Sequence, residues 1–239
     1  MAPQQTRSTI KYRKAPAPTD EDIYNSMLDA IIDQRLPPGT RLTEADLCGI
    51  YATTRRKIER VLVRLETEGV VTIKLNRGAR ISRPTQQEAR DVFALRKLVE
   101  AEVIRLLSGN LSDDAHANIQ ACLEQDQIVS KACLDRAHIH HSGDFHVLLA
   151  RECGNGEIKN LIRRLVARTS LITQLFGNDR ALECWHEEHV YLLDMLVAGS
   201  TEEATELMLT HLQSIEDELR LTQTKDTDLD LRKALLSPR

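Results

Sequence analysis

Three histidines carry the most chemistry in this chain of 239 residues. His146 is followed at i+3 and i+4 by Leu149 and Ala150. His189 stands between Trp185 and Leu193, and His211 between Leu207 and Ile215. Helical spacing therefore turns each ring toward an apolar interior. A buried imidazole is costly unless its nitrogens find partners. Three on separate helices can satisfy one another by sharing a cation, and neutral imidazole suits a divalent ion such as Zn²⁺, Ni²⁺ or Mn²⁺. Taken singly, each has an alternative reading as a core histidine hydrogen-bonded to a neighbour. His138, His140, His141 and His186 have no apolar bracketing on both sides and read as solvated or supporting groups, and His116 as surface.

A second constellation opens at Thr54. Ile58, Val61, Leu62 and Leu65 form an apolar helical stripe, and Arg55, Arg56, Arg60 and Arg64 gather on the other side. A helix fits the major groove of B-DNA, and guanidinium forks match guanine O6 and N7 or phosphate oxygens. Arg-rich exposed faces are also common as plain solvated surface, so the elements around this helix decide between the two readings.

Those elements follow in order. Ile23, Met27, Ala30 and Ile31 mark a first helix, closed by Pro37-Pro38-Gly39. Thr43 caps a second over Glu44 to Ile50, and the Arg-bearing third ends near Gly69. Val70 to Ile73, a turn at Asn76-Arg77-Gly78, and Ala79 to Ser82 predict a two-stranded wing with Arg77 and Gly78 at its tip, in reach of neighbouring phosphates. Residues 1–18 are basic, Pro-punctuated and aperiodic, and read as a flexible arm.

From Thr85, which has capping-box spacing to Glu88, the chain reads as helices throughout. Val92, Leu95, Leu98, Val99, Val103 and Leu106 or Leu107 are expected to form one apolar face of the first. Asn155 is expected to cap a later helix, and about six helices make an antiparallel bundle. The fold class is thus mainly α: a winged helix-turn-helix domain at 19–84, an all-α bundle at 85–223 and a polar tail at 224–239.

Charge supports the division. The first 83 residues hold 15 Lys and Arg against 10 Asp and Glu, and the rest hold 17 against 26, so +5 is followed by −9. Clustered positive charge is what phosphate neutralisation requires, and here only the front offers it. The five Cys are scattered without a CxxC pair, as in a reduced cytoplasmic protein. Apolar runs are too short to cross a bilayer, so no membrane partner is expected. Aromatic residues are 3% of the chain, which disfavours a sandwich or barrel.

RLPPGTRLTEADL, TTRRKIERVLVRLETEGVV and NRGARI resemble the winged-helix domain of GntR-family bacterial transcription regulators, across about residues 20–83. The resemblance implies DNA contacts from Thr54, Arg55, Arg56, Lys57, Glu59, Arg60, Arg77 and Gly78. Thr54 and Arg55 match the family's opening, whereas Arg56, Lys57, Glu59 and Arg60 depart from its usual Thr, Pro, Arg and Glu. Glu59 puts an acid where the family generally has a DNA-contacting Arg; it can pair with Arg55 one turn earlier or accept from a cytosine amino group.

GDFHVLLARECGN, EEHVYLLDML and MLTHLQSIEDEL are similar to the all-helical FCD effector domain of the FadR subfamily, over most of residues 86–222. In many such domains three His and an Asp four residues before the first His surround a metal, often beside a pocket for a small carboxylate. The matching histidines are His146, His189 and His211, and the Asp position is Ser142. Asp144 projects to another side of an ideal helix and does not substitute. Arg96 stands where related proteins often have an effector-pocket arginine, with a salt bridge to Glu100 as the alternative, and Arg168 is a second candidate.

The expected function is a ligand-responsive transcription regulator and not an enzyme: a homodimeric, cytoplasmic repressor on a semi-palindromic double-stranded DNA operator, modulated by a small organic acid. Two alternatives stand beside it. One is an architectural DNA-binding protein with an inert dimerisation bundle. The other is a metal-dependent hydrolase with a DNA-targeting module, against which no acid has HExxH-like spacing to the histidines.

Overall fold

A reciprocal cap starts the first helix. The Asp22 amide donates to Thr19 Oγ1 at 3.1 Å while the Thr19 amide donates to Asp22 Oδ2 at 2.8 Å. In this computed structural model, which describes residues 17–75, 77–131, 135–177 and 185–219, α1 then runs Asp20–Ile32. It stops short of the Pro pair, with Gln34 in left-handed backbone at φ 57°. α2 (Glu44–Tyr51) is capped by Thr43 as the sequence suggests, and α3 (Arg55–Thr67) buries Ile58, Val61, Leu62 and Leu65.

The wing is a correction to the two-stranded expectation, because its sheet has three strands in the order β1-β3-β2. β2 (Val71–Lys74) and β3 (Gly78–Ile81) form the hairpin, and β1 (Arg41–Leu42) pairs antiparallel with β3. The loop before β1 is tied to the same strand: the Gly39 amide donates to the Ile81 carbonyl and the Ile81 amide to the Thr40 carbonyl, each at 2.9 Å. A two-residue strand carrying an exposed Arg has no periodicity to betray it. At the tip Gly78 has φ +74°, a conformation that favours glycine.

Helices α4 (Gln86–Leu107), α5 (Asp113–Lys131), α6 (Asp135–Glu152), α7 (Gly156–Phe176), α8 (Trp185–Ala198) and α9 (Thr201–Asp217) build the second module. Thr85 and Glu88 cap α4 reciprocally, and Asn155 Oδ1 accepts from the Glu157 and Ile158 amides at 3.0 and 3.2 Å. Thr85→Ala removes one half of that cap and is expected to cost about 1 kcal/mol. A denaturant midpoint equal to wild type would show that the cap contributes nothing.

The apolar face of α4 also needs correcting. Its buried side runs through Ala89, Val92, Phe93, Arg96, Glu100, Val103, Ile104 and Leu107. Leu98 is 72% exposed, with Leu95 and Leu106 also open, so that leucine stripe faces outward.

One buried cluster spans both modules. The Ser170 hydroxyl on α7 lies 2.9 and 3.0 Å from the carbonyls of Ile31 and Ile32, which end α1. Arg163 of α7 reaches Asn25 and Asp29 of α1. Gly143 of α6 sits so close that a Cβ would lie 3.2 Å from Val166 and 3.4 Å from Ile32. Among the described residues no helix is long and apolar enough to cross a membrane. The turn residue Asn76, Cys133, Cys184, the tail, most of the arm, and the side chains of Ser142, His138, His140 and His141 lie outside the described residues.

Candidate functional site

The three histidines meet. His146 comes from α6, His189 from α8 and His211 from α9, and all three are buried. His211 Nε2 lies 3.3 Å from Nε2 of both His189 and His146. Phe145 stacks on His189 with ring centroids 4.0 Å apart, fixing that ring's plane.

Carboxylates set two of the tautomers. His146 Nδ1 is 2.5 Å from Glu100 Oε2, and His211 Nδ1 is 2.6 Å from Glu188 Oε2. A carboxylate only accepts, so the proton is assigned to each Nδ1 and each Nε2 is left with a bare lone pair. Two such lone pairs facing each other repel unless a cation lies between them. A tetrahedral ion bound by imidazole at about 2.0–2.1 Å holds its nitrogens about 3.3–3.4 Å apart. The donor set therefore fits a divalent metal ion, with Glu100 and Glu188 orienting the rings. Burial lowers the His146 pKa to about 4 against the pull of Glu100, so the ring is neutral at neutral pH. Burial, and then His211 and His146, push His189 well below the ordinary range, and its Nδ1 has no hydrogen-bond partner among the described residues.

Arg96 joins this centre through Glu100. Its Nε donates to Glu100 Oε1 at 2.6 Å, and both side chains are buried. Burial alone would raise the Glu100 pKa, but the Arg96 charge and then His146 outweigh it and hold the carboxyl at about 2. Arg96 Nη2 is buried with no hydrogen-bond partner among the described residues. The salt-bridge reading of Arg96 therefore describes one of its nitrogens, and a second N–H donor is left unused.

Arg168 of α7 stands beside the winged module. A Cβ on Gly69 of the winged module would lie 3.4 Å from its Nε, and its Nη2 is 3.8 Å from Glu88. The ion pair and the close packing set it at the junction of the modules, where its Nε is buried with no hydrogen-bond partner among the described residues. His116 is exposed and His186 half-buried. The sequence reading missed Glu100 as part of the site, although its i+4 spacing from Arg96 inside an apolar stretch marks a buried ion pair. Glu188, beside His189, gave no comparable signal.

On α3 the arginines do not all face outward together. Arg60 donates to Asp20 at 2.7 and 3.0 Å, Lys57 to the Pro18 carbonyl at 2.9 Å, and the Arg64 guanidinium lies 3.4 Å over the Tyr24 ring. The acidic first turn of α1, Asp20-Glu21-Asp22, draws these cations back. Thr54, Arg55, Arg56 and Glu59 remain exposed at the open end. Thr54 makes no side-chain cap bond, and Arg55, 73% exposed, pairs with Glu59 at 3.0 Å and with Glu44. Exposed pairs of this kind are worth only about 0.2–1 kcal/mol, so a base edge or phosphate displaces them cheaply.

A winged helix stapled to a helical module with a buried three-histidine centre has the architecture of a ligand-responsive transcription regulator. The chain belongs to the GntR family: residues 19–81 match the bacterial regulatory proteins of the gntR family, and residues 91–214 match the FCD domain. It is 27% identical over 213 residues to the HTH-type transcriptional repressor GlaR of Escherichia coli K12, covering 81% of this chain and 92% of that protein. It is 25% identical over 183 residues to the Nta operon transcriptional regulator of Aminobacter aminovorans, covering 76% and 85%. E. coli McbR/YncC has the same fold, with a TM-score of 0.72 over 81% of this chain and 93% of that one at 17% identity. The family consists of regulators and not enzymes, which sets the hydrolase alternative aside.

Proposed function

We propose that the protein is a cytoplasmic repressor that binds a semi-palindromic operator as a homodimer and changes its DNA affinity when a small carboxylate enters the FCD domain. In this reading residues 19–84 read DNA and residues 85–223 bind effector and pair the chains. Residues 1–18 and 224–239 are an arm and a tail. The observation that carries it is the convergence of three Nε2 atoms beside Arg96, whose unpartnered Nη2 supplies a donor for a carboxylate. His146, His189 and His211 would hold Zn²⁺, Ni²⁺ or Mn²⁺. Such an ion would supply Lewis acidity toward an effector oxygen, and Ser142 stands at the family's Asp position.

Thr54, Arg55, Arg56 and Glu59 contact base edges, with Arg77 and Gly78 at the wing tip, while Lys57 and Arg60 brace α3 against α1. The outward stripe Leu95, Leu98 and Leu106, bordering a groove that includes Val99, Ile158 and Leu161, supports pairing of two copies through α4 and α7. Effector binding then favours one placement of the winged modules, and a coupling of ~1–3 kcal/mol changes operator affinity roughly 5–150-fold.

Mobility shift of the duplex upstream of the protein's own coding region tests the reading. Wild type should bind it selectively and salt-sensitively, and Arg55→Ala should lose the selectivity while keeping the fold. Equal wild-type affinity for upstream and mixed-sequence DNA would favour the architectural alternative. Unchanged selectivity in Arg55→Ala would remove α3 as the reading element.

A further inference from the structure

One face of the wing sheet carries cations and no acid. β1 pairs with β3 in the register Arg41↔Arg80, and β3 with β2 in the register Thr72↔Arg80, so two arginines stand directly opposite each other. Strand alternation sends Leu42 and Ala79 to the buried side and leaves Arg41 and Arg80 exposed. Lys74, Arg77 and Arg83 line the same open hollow of about 520 Å³, and among the described residues that line it there is no carboxylate.

The contrast with α3 is instructive. There Arg55, Arg60 and Arg64 each have a carboxylate partner. Arg41, Lys74, Arg77 and Arg80 have no ion-pair partner among the described residues. Arg80 Nη1 donates to the Gly39 carbonyl at 3.0 Å, which fixes the head group instead of neutralising it. Like charges directly opposite on neighbouring strands destabilise the pairing. Folding alone therefore gives no reason for arginine at both positions, whereas a polyanion lying across the sheet does.

The geometry points to a second DNA-contact surface on this sheet, in which Arg41 and Arg80, with Lys74, hold the phosphodiester backbone of duplex DNA. Such contacts add affinity and fix orientation without reading bases. The inference rests on the DNA-binding reading above, but it predicts a different defect: loss of salt-dependent affinity with selectivity intact.

Full-length Arg41→Ser/Arg80→Ser protein, titrated with the upstream duplex and with a mixed-sequence duplex over a range of salt, tests it. Affinity should fall by the same factor on both duplexes. The slope of log affinity against log salt should become shallower by about 1–2 per chain, since each phosphate contact contributes about 0.9. The melting temperature should hold or rise, because a like-charge pair is removed; a purely structural role would lower it. Arg41→Lys/Arg80→Lys, which keeps the charge, should keep the slope, so a poorly folded serine variant does not end the test. Unchanged slope and affinity in the serine variant, with Arg55→Ala still losing selectivity, would overturn this surface and leave the proposed function standing. A loss confined to the upstream duplex would overturn it in favour of base reading. Wild type without affinity for either duplex would instead overturn the DNA-binding reading itself.

Discussion

A Glu100→Leu variant is expected to lose about 3–5 kcal/mol of stability, because it leaves the Arg96 guanidinium buried without its counter-charge. The loss is not that of one hydrogen bond. Glu100 receives Arg96 Nε on one oxygen and His146 Nδ1 on the other, so its removal orphans two buried donors. An Arg96→Met/Glu100→Leu variant should recover much of the loss, since an apolar pair of similar volume avoids burying any charge. Urea unfolding of Glu100→Leu, Arg96→Met, the double variant and wild type measures this; a double variant as unstable as the sum of the two single variants would show that Arg96 and Glu100 act independently.

The same pair fixes the direction of pH dependence. Glu100 is held at about 2 against an ordinary 4.5, so it contributes stability above pH 4.5 that is lost as pH falls toward 2. His146 is held at about 4 against 6.5, so the unfolded chain takes up a proton first and stability also declines as pH falls from 6.5 to 4. Acid should therefore weaken the wild-type protein more than Arg96→Met/Glu100→Leu in the range below pH 4.5.

Loading chelator-treated protein with Zn²⁺ at about 100 times its dissociation constant should stabilise it by about 2.7 kcal/mol, because the ion binds the folded state. A His146→Ala/His189→Ala variant should gain none of this and should hold less than wild type by metal analysis. Equal thermal shifts and equal metal content in the two proteins would exclude the three-histidine centre. Glu188→Gln is a finer probe: it keeps an acceptor near His211 Nδ1 but removes the charge, so it should weaken binding by roughly 10–100-fold without abolishing it.

Much of the fold was legible because period and punctuation agreed. Ile23, Met27, Ala30 and Ile31, and Ile58, Val61, Leu62 and Leu65, are buried as their spacing requires. Thr43, Thr85 and Asn155 cap the helices they precede. What failed depended on partners distant in sequence. β1 exists only because β3 pairs with it, and nothing in Arg41-Leu42 announces that. On α4 two stripes compete, and hydropathy favoured Leu95 and Leu98 over the stripe bearing Arg96 and Glu100. An ion pair that is neutral as a unit buries where its separate residues would not, and a leucine row can face a second chain as readily as its own core. The histidine centre was visible as three inward rings, but the carboxylates that assign their protons come from α4 and α8, and no local pattern links them.

Ser170 holds the last carbonyls of α1 while Gly143 lets α6 come within touching distance of Ile32. The winged module is thus packed directly against α6 and α7. A shift of α6 or α7 by a fraction of an ångström would press directly on α1, and through α1 on α3.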